Sequence, residues 1–249
     1  LPEEMVVLST KSGALNRALN RVRHHVGVDF RRWILPRNAR KISGGKYSKI
    51  ELDEEAIERG VYKNYLGGGA EKWESRGLFQ LSLLRAAGML PSSRLLDVGC
   101  GPIRAGVHFI SFLNEGNYYG VDYNNSFIKT ASLLVTEKGL SGKHPTLKVI
   151  SDFDLSALNQ KFDFVNVFSV LNHCDDQQRR LFFENVCKCL APDAKIYLTH
   201  AGWLKKSYLR LGGLRIIKRF DATELELEKH GWSETDQRAV CPIYELGRL

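Results

Sequence analysis

The stretch from Leu95 to Gly106, LLDVGCGPIRAG, constrains this chain more than any other. A short apolar run ends in Asp97-Val98 and passes at once into a glycine-rich turn. The run is too short for a helix and reads as a buried strand. Gly99 and Gly101 permit backbone angles closed to other residues and let a ligand approach the main chain. A second apolar run, YYGVD, ends in Asp122, 25 residues after Asp97. In a parallel sheet, ligands bind beyond the carboxyl ends of the strands. An acid ending the second strand is placed to hold two ribose hydroxyls. The two acids and the turn between them call for a nucleoside-containing ligand, against the plainer reading that both acids cap turns. A dinucleotide turn that begins at Gly99 needs its third glycine at position 104, which is Arg104, and Gly106 comes two positions late. That disfavours a nicotinamide-dependent oxidoreductase.

The rest of the chain alternates in the same sense. After the turn, AGVHFISFL reads as a helix, YYGVD as a strand and NSFIKTASLLVTEKGL as a helix. TLKVI and FDFVNVFSV read as a third and fourth strand. DDQQRRLFFENVCKCL is a helix with an acidic start that suits its dipole. AKIYLTH is a fifth strand and ATELELEKHG a later helix. ETDQRAV and IYELGRL are expected to form a closing hairpin. This alternation predicts an α/β fold, a Rossmann-like, doubly wound, mostly parallel seven-stranded sheet with an added helical N-terminal segment. We divide the chain into a basic helical segment (1–50), a helical module ahead of the sheet (51–93) and a catalytic domain (94–249). Within 70–90, Leu78, Leu81 and Leu84 are the expected buried positions.

Charge separates the first segment from the rest. The chain carries a net +8, and residues 1–50 hold eleven Lys and Arg against three acids, so the remainder is neutral overall. Leu15, Leu19, Val22 and Val26 share one stripe of a predicted helix over 14–26. Phe30, Trp33, Ile34 and Leu35 follow beside Arg31 and Arg32. This mixture suits peripheral contact with an anionic membrane or docking on the catalytic domain. Nucleic acid stays open as a partner, although no recognition motif supports it. No apolar run approaches the ~18 residues of a membrane span. No signal-peptide pattern is legible, and Leu1 is not an initiator methionine. The five cysteines, an odd number, read as free thiols, which places the protein in a reducing cytoplasm.

LLDVGCGPIRAG with YYGVD resembles the first two motifs of the class I S-adenosylmethionine-dependent methyltransferases. SDFDL (Ser151–Leu155), FDFVNVFSVLNH and LAPDAKIYLTH continue the resemblance in order over residues 94–200. Ile103 stands where many members have a third glycine, and Asp193-Ala194 replaces their Gly-Gly. The resemblance implies S-adenosylmethionine as cofactor and a role for each matching residue. Asp97 would orient the turn and the amino group of the methionine part, and Gly99 and Gly101 would admit the cofactor to the backbone. Asp122 would bind the ribose hydroxyls. Tyr123 would pack on the adenine, Asp152 would accept from its amino group, and Phe153 would lie beside it. Ser169 and Val170 would line the methionine moiety. Asp154 competes with Asp152, and Tyr123 and Phe153 have the alternative of ordinary packing.

Transfer to a hydroxyl needs an aligned acceptor and a group to take its proton, and histidine suits a base near neutral pH. In LNHCDD, His173 follows the fourth strand, and His200 ends the fifth on the same edge. His173 is the first candidate base and His200 the second, each against a structural loop role. No metal-ligand spacing appears, so no metal site is expected. The basic stretch WLKKSYLRLGGLRIIKRF would cover the acceptor, bind phosphate, rest on a membrane or be a solvated face. The expected function is methyl transfer to oxygen on a small-molecule, glycan or lipid-linked acceptor. The alternative outside that class is a non-catalytic nucleoside-binding or membrane-adaptor protein.

Overall fold

The computed structural model describes residues 50–52, 54–64, 69–199, 203–222, 224–225, 237 and 241–249. The amphipathic stretch 14–26, His200 and most of the expected helix over 222–231 lie outside the described residues.

Helices α1 (Glu54–Glu58) and α2 (Trp73–Ala86) precede the sheet. The chain then alternates: β1 (Leu95–Val98), α3 (Gly106–Phe112), β2 (Tyr118–Asp122), α4 (Asn125–Glu137), β3 (Thr146–Val149) and β4 (Phe162–Val167). It continues through α5 (Asp176–Val186), β5 (Leu190–Thr199), α6 (Lys206–Leu211), β6 (Leu214–Phe220) and β7 (Ile243–Arg248). The strands form one seven-stranded sheet in the order β3-β2-β1-β4-β5-β7-β6. Strands β1 to β5 are parallel, and β7 runs antiparallel to both β5 and β6. This is the mostly parallel, doubly wound α/β sheet expected from the alternation.

Both faces of the sheet are covered, which is why its strands are apolar without strict alternation. Leu95, Phe164 and Tyr197 face a core shared with Phe79 and Leu84 of α2, Phe109 of α3 and Leu134 of α4. Leu96, Val98, Val165, Val167, Ile196 and Leu198 face a second core with Phe182 and Phe183 of α5 and Tyr208 of α6. Side-chain caps start two of the helices. Asn124 Oδ1 accepts from Phe127 N at the start of α4 (3.1 Å). Asp175 and Gln178 exchange side-chain and backbone bonds in a capping box at the start of α5.

Two expectations are corrected. The strand paired with β7 is Leu214–Phe220, not residues 234–240. Of 234–240 only Gln237 is described, and it is helical. Strand β6 lies at the sheet edge, where side chains on both faces meet solvent, so its cations hide the usual strand pattern. In α2, Leu84 is buried and Leu81 partly so, but Leu78 is 44% exposed. The buried face is Trp73, Arg76, Gly77, Phe79, Gln80, Leu83 and Leu84. Two polar residues on that face shift the apparent apolar stripe toward Leu78.

Candidate active site

The loops that leave the carboxyl ends of β1, β2, β3 and β4 carry nearly every residue singled out from the sequence. Backbone strain concentrates there. Among the described residues, six non-glycine residues take left-handed angles, and four of them, Ile103, Asp152, Phe153 and Ser169, lie in the loops after β1, β3 and β4. A buried β-branched residue in this region is a true outlier, so Ile103 (φ 49°) holds by force the backbone bend that glycine would take freely.

The turn after β1 is knitted to β2. Gly99 and Gly101 have φ of 68° and 54°. Gly99 N and Cys100 N both donate to Val121 O (2.7 and 3.1 Å), and Gly101 N donates to Asp122 Oδ2 (2.9 Å). The other Asp122 oxygen accepts from Asn124 N (2.9 Å). Asp122 is 6% exposed, and burial raises its carboxyl pKa against the lowering effect of these backbone bonds. A carboxylate has about four acceptor sites, so the backbone donors of Asn124, Gly101 and Tyr123 leave capacity over.

Asp97 lies deeper, at 4% exposure. Its Oδ2 accepts from the Tyr118 hydroxyl and its Oδ1 from Asn166 Nδ2, both at 2.8 Å. Burial pushes its pKa up to about 6, although Asn166 and Tyr118 both pull it down. The sequence reasoning missed these partners, together with Gln80 and Thr199. The signal available was a polar residue inside an apolar strand: Asn166 in FDFVNV and Tyr118 at the head of YYGVD.

The other expected contacts are more open. Tyr123 is 43% exposed beside Asp122. Asp152 is exposed, and Phe153 is half-buried, its ring edge-on to Phe182 at 5.4 Å. Asp154 is occupied elsewhere: its Oδ1 accepts from Ser156 Oγ (2.6 Å) and Ser156 N (3.1 Å), and these bonds lower its pKa. Asp152 therefore remains as the acid of that loop. Ser169 N donates to Thr199 Oγ1 (2.9 Å), joining the ends of β4 and β5. Val170 presses on the first turn so closely that a Cβ at Gly99 would come 2.3 Å from Val170 Cγ2. His173 ends the next short turn, Leu171–His173, and is exposed, with its Nε2 3.4 Å from Asn172 Nδ2.

The segment after β5 is fastened to this loop. Arg179 Nε donates to Leu171 O (3.0 Å), and the same guanidinium lies 5.0 Å from the Trp203 ring. Asp176 accepts from Lys205 Nζ (2.6 Å), the Tyr208 hydroxyl (2.5 Å) and Arg180 Nε (2.9 Å). Lys205, Tyr208 and Arg180 hold its carboxyl well below the usual range. The basic stretch 203–220 is thus largely α6 and β6, with Lys218 and Arg219 paired to Glu224 and Asp221. Among the described residues, no three His, Cys, Asp or Glu side chains group to hold a metal ion.

Residues 96–196, from β1 into β5, match the family model of the methyltransferase domain. The chain carries a methyltransferase domain over this stretch. No curated protein is similar enough in sequence to be matched. Solved structures share the domain's fold at low identity. Magnesium protoporphyrin IX methyltransferase from Synechocystis, with bound S-adenosylmethionine, is 18% identical, with 81% of this chain and 100% of that chain covered and a TM-score of 0.53. An S-adenosylmethionine-dependent methyltransferase from Clostridium acetobutylicum is 14% identical, with 79% and 99% covered and a TM-score of 0.55. The cyclase SpnF is 18% identical, with 68% and 81% covered and a TM-score of 0.50. The donor set fits the cofactor of this methyltransferase domain: two buried carboxylates end adjacent strands, with a left-handed glycine turn tied between them.

Proposed function

We propose that the methyltransferase domain methylates a hydroxyl oxygen on a small-molecule, glycan or lipid-linked acceptor. S-adenosylmethionine, when bound, supplies an electrophilic methyl group on a sulfonium centre. Asp122 would hold the ribose hydroxyls with its remaining lone pairs, and Asp152 the adenine amino group, with Tyr123 and Phe153 beside the ring. Gly99, Gly101 and Ser169 would line the methionine part, and Asp97 would orient its amino end.

The observation that carries the oxygen reading is the placement of His173. It is exposed at the carboxyl edge, three residues beyond the side chain packed on Gly99. A neutral imidazole there would take the acceptor's proton as the new bond forms. The clasp of Trp203, Lys205 and Tyr208 on α5 makes the segment after β5 a wall beside this loop. A small-molecule acceptor also suits the Synechocystis neighbour, which is named for magnesium protoporphyrin IX.

S-adenosylhomocysteine should raise the melting temperature, as a ligand of the native state must. Asp122→Ala should remove most of that rise. His173→Ala should lower turnover about 10²-fold or more, with cofactor affinity close to wild type. Stabilisation by a nicotinamide dinucleotide and none by S-adenosylhomocysteine would overturn the reading. The fold alone does not dictate methyl transfer, since SpnF is a cyclase on the same framework. A binder without turnover would keep the cofactor's methyl group with every acceptor tried.

A further inference from the structure

Three residues of the turn after β1 take left-handed angles, at every second position: Gly99, Gly101 and Ile103, with φ of 68°, 54° and 49°. Glycine adopts such angles without strain, but it has no side chain to hold them in place. For a β-branched residue the angle is an outlier, and it persists only where the surroundings force it. Around Ile103 they do. Its side chain is fully buried, in a core shared with Trp73, Phe79 and Leu84 of α2 and Phe109 of α3. Its backbone is tied on both sides: its N donates to Cys100 O and its O accepts from Val107 N, both at 3.1 Å.

The neighbouring positions are shaped to this side chain. Gly106 opens α3, and a Cβ there would come 2.7 Å from Ile103 Cβ and 2.9 Å from its Cγ2. Position 106 stays bare where Ile103 fills the space. Helix α2 presses on the next residue of the turn, since a Cβ on Gly77 would stand 2.5 Å from Arg104 O. A residue needed only to fill this core would not have to be strained. The strained angle belongs to the turn, and burial of the side chain is what offsets it.

We propose that Ile103 is a positioning residue for the cofactor: its buried side chain holds the glycine turn in its binding shape before the ligand arrives. This rests on the reading of the domain as an S-adenosylmethionine binder. The stretch between Gly101, tied to Asp122, and α3 then has one conformation instead of several. A ligand that meets a preformed turn binds tighter because it does not have to order it. Strain and burial separate by substitution. Alanine keeps a left-handed penalty and loses most of the burial, so the turn relaxes and the ligand must restore it. Glycine loses the burial and the penalty together, so the bend is again available.

The test is titration calorimetry on the full chain with S-adenosylhomocysteine as probe, comparing wild type with Ile103→Ala and Ile103→Gly. Ile103→Ala should weaken binding about tenfold, the scale of one strained backbone residue. Ile103→Gly should bind within about twofold of wild type, although it empties more of the core than alanine does. Hydrogen exchange on ligand-free wild type covers the case in which a variant does not fold. The Gly101 and Ile103 amides, bonded to Asp122 and Cys100, should already be protected there. If glycine binds no tighter than alanine, the side chain acts only by filling the core, and the proposal is overturned. It is also overturned if both variants bind as wild type does, or if those two amides exchange freely until S-adenosylhomocysteine is added. Failure of wild type to bind S-adenosylhomocysteine would overturn the cofactor reading itself, and this proposal with it.

Discussion

Burial sets the protonation of Asp97. Its usual pKa of 3.8 rises to about 6 because the ionised form loses its hydration. The folded chain therefore binds this proton more tightly than the unfolded chain. The resulting stabilisation is fully present below about pH 4 and is lost as pH rises through about 6, and it is on the order of 3 kcal/mol. Asp97→Asn abolishes the titration. Melting curves between pH 4.5 and 7 should show the variant gaining stability relative to wild type as pH rises. A constant gap between the two curves would contradict the burial argument. Above pH 6 the ionised carboxylate is the form that a cationic ligand would stabilise.

At the scale of elements, α2 acts on the turn by contact. A Cβ on Gly77 would come 2.5 Å from the Arg104 carbonyl oxygen and 2.7 Å from the His108 ring. The Arg104 carbonyl is backbone and cannot swing aside, so this glycine is required by close approach. In an exposed helix, Gly→Ala is stabilising by roughly 1 kcal/mol. Here the sign should reverse: Gly77→Ala should cost about 1–3 kcal/mol, the usual range for overpacking. It should also weaken S-adenosylhomocysteine binding, because the displaced carbonyl belongs to the glycine-rich turn. Thermal melts with and without the ligand measure both effects. On the opposite face of the sheet, Asp176 fastens α6 to α5 and so fixes where the chain runs after β5.

At the scale of the whole molecule, the positive excess lies in residues 1–50, while within 203–220 Lys205, Lys218 and Arg219 are already paired. No helix among the described residues is long and apolar enough to cross a membrane. We propose that the N-terminal segment binds an anionic membrane surface peripherally. Each cation near such a surface contributes ~1 kcal/mol. The protein should sediment with anionic liposomes more than with neutral ones, and added salt should weaken this. Deletion of residues 1–45 should abolish sedimentation and leave S-adenosylhomocysteine binding in place. Equal, negligible sedimentation with both kinds of liposome would leave the segment as a domain-docking or acceptor-covering element.

Much of this architecture is written in local pattern. The apolar runs ending at Asp97 and Asp122, the glycines at 99 and 101 and the acidic start at Asp175 are short-range features, and strand, turn and helix follow from neighbours in the chain. The parallel sheet and the loops that carry the candidate site could therefore be read without coordinates. Strand β6 could not, because an edge strand exposed on both faces has no burial period to display. Nor could the buried face of α2, whose Arg76 and Gln80 look like solvent residues until Asn166 and the turn are brought against them. That Asp154 is engaged by Ser156 while Asp152 stays exposed was likewise invisible in SDFDL. The carboxylate-amide pair of Asp97 and Asn166 joins positions 69 residues apart. Such partners are chosen by which strands lie side by side and how deeply they are buried, and only the folded chain sets both.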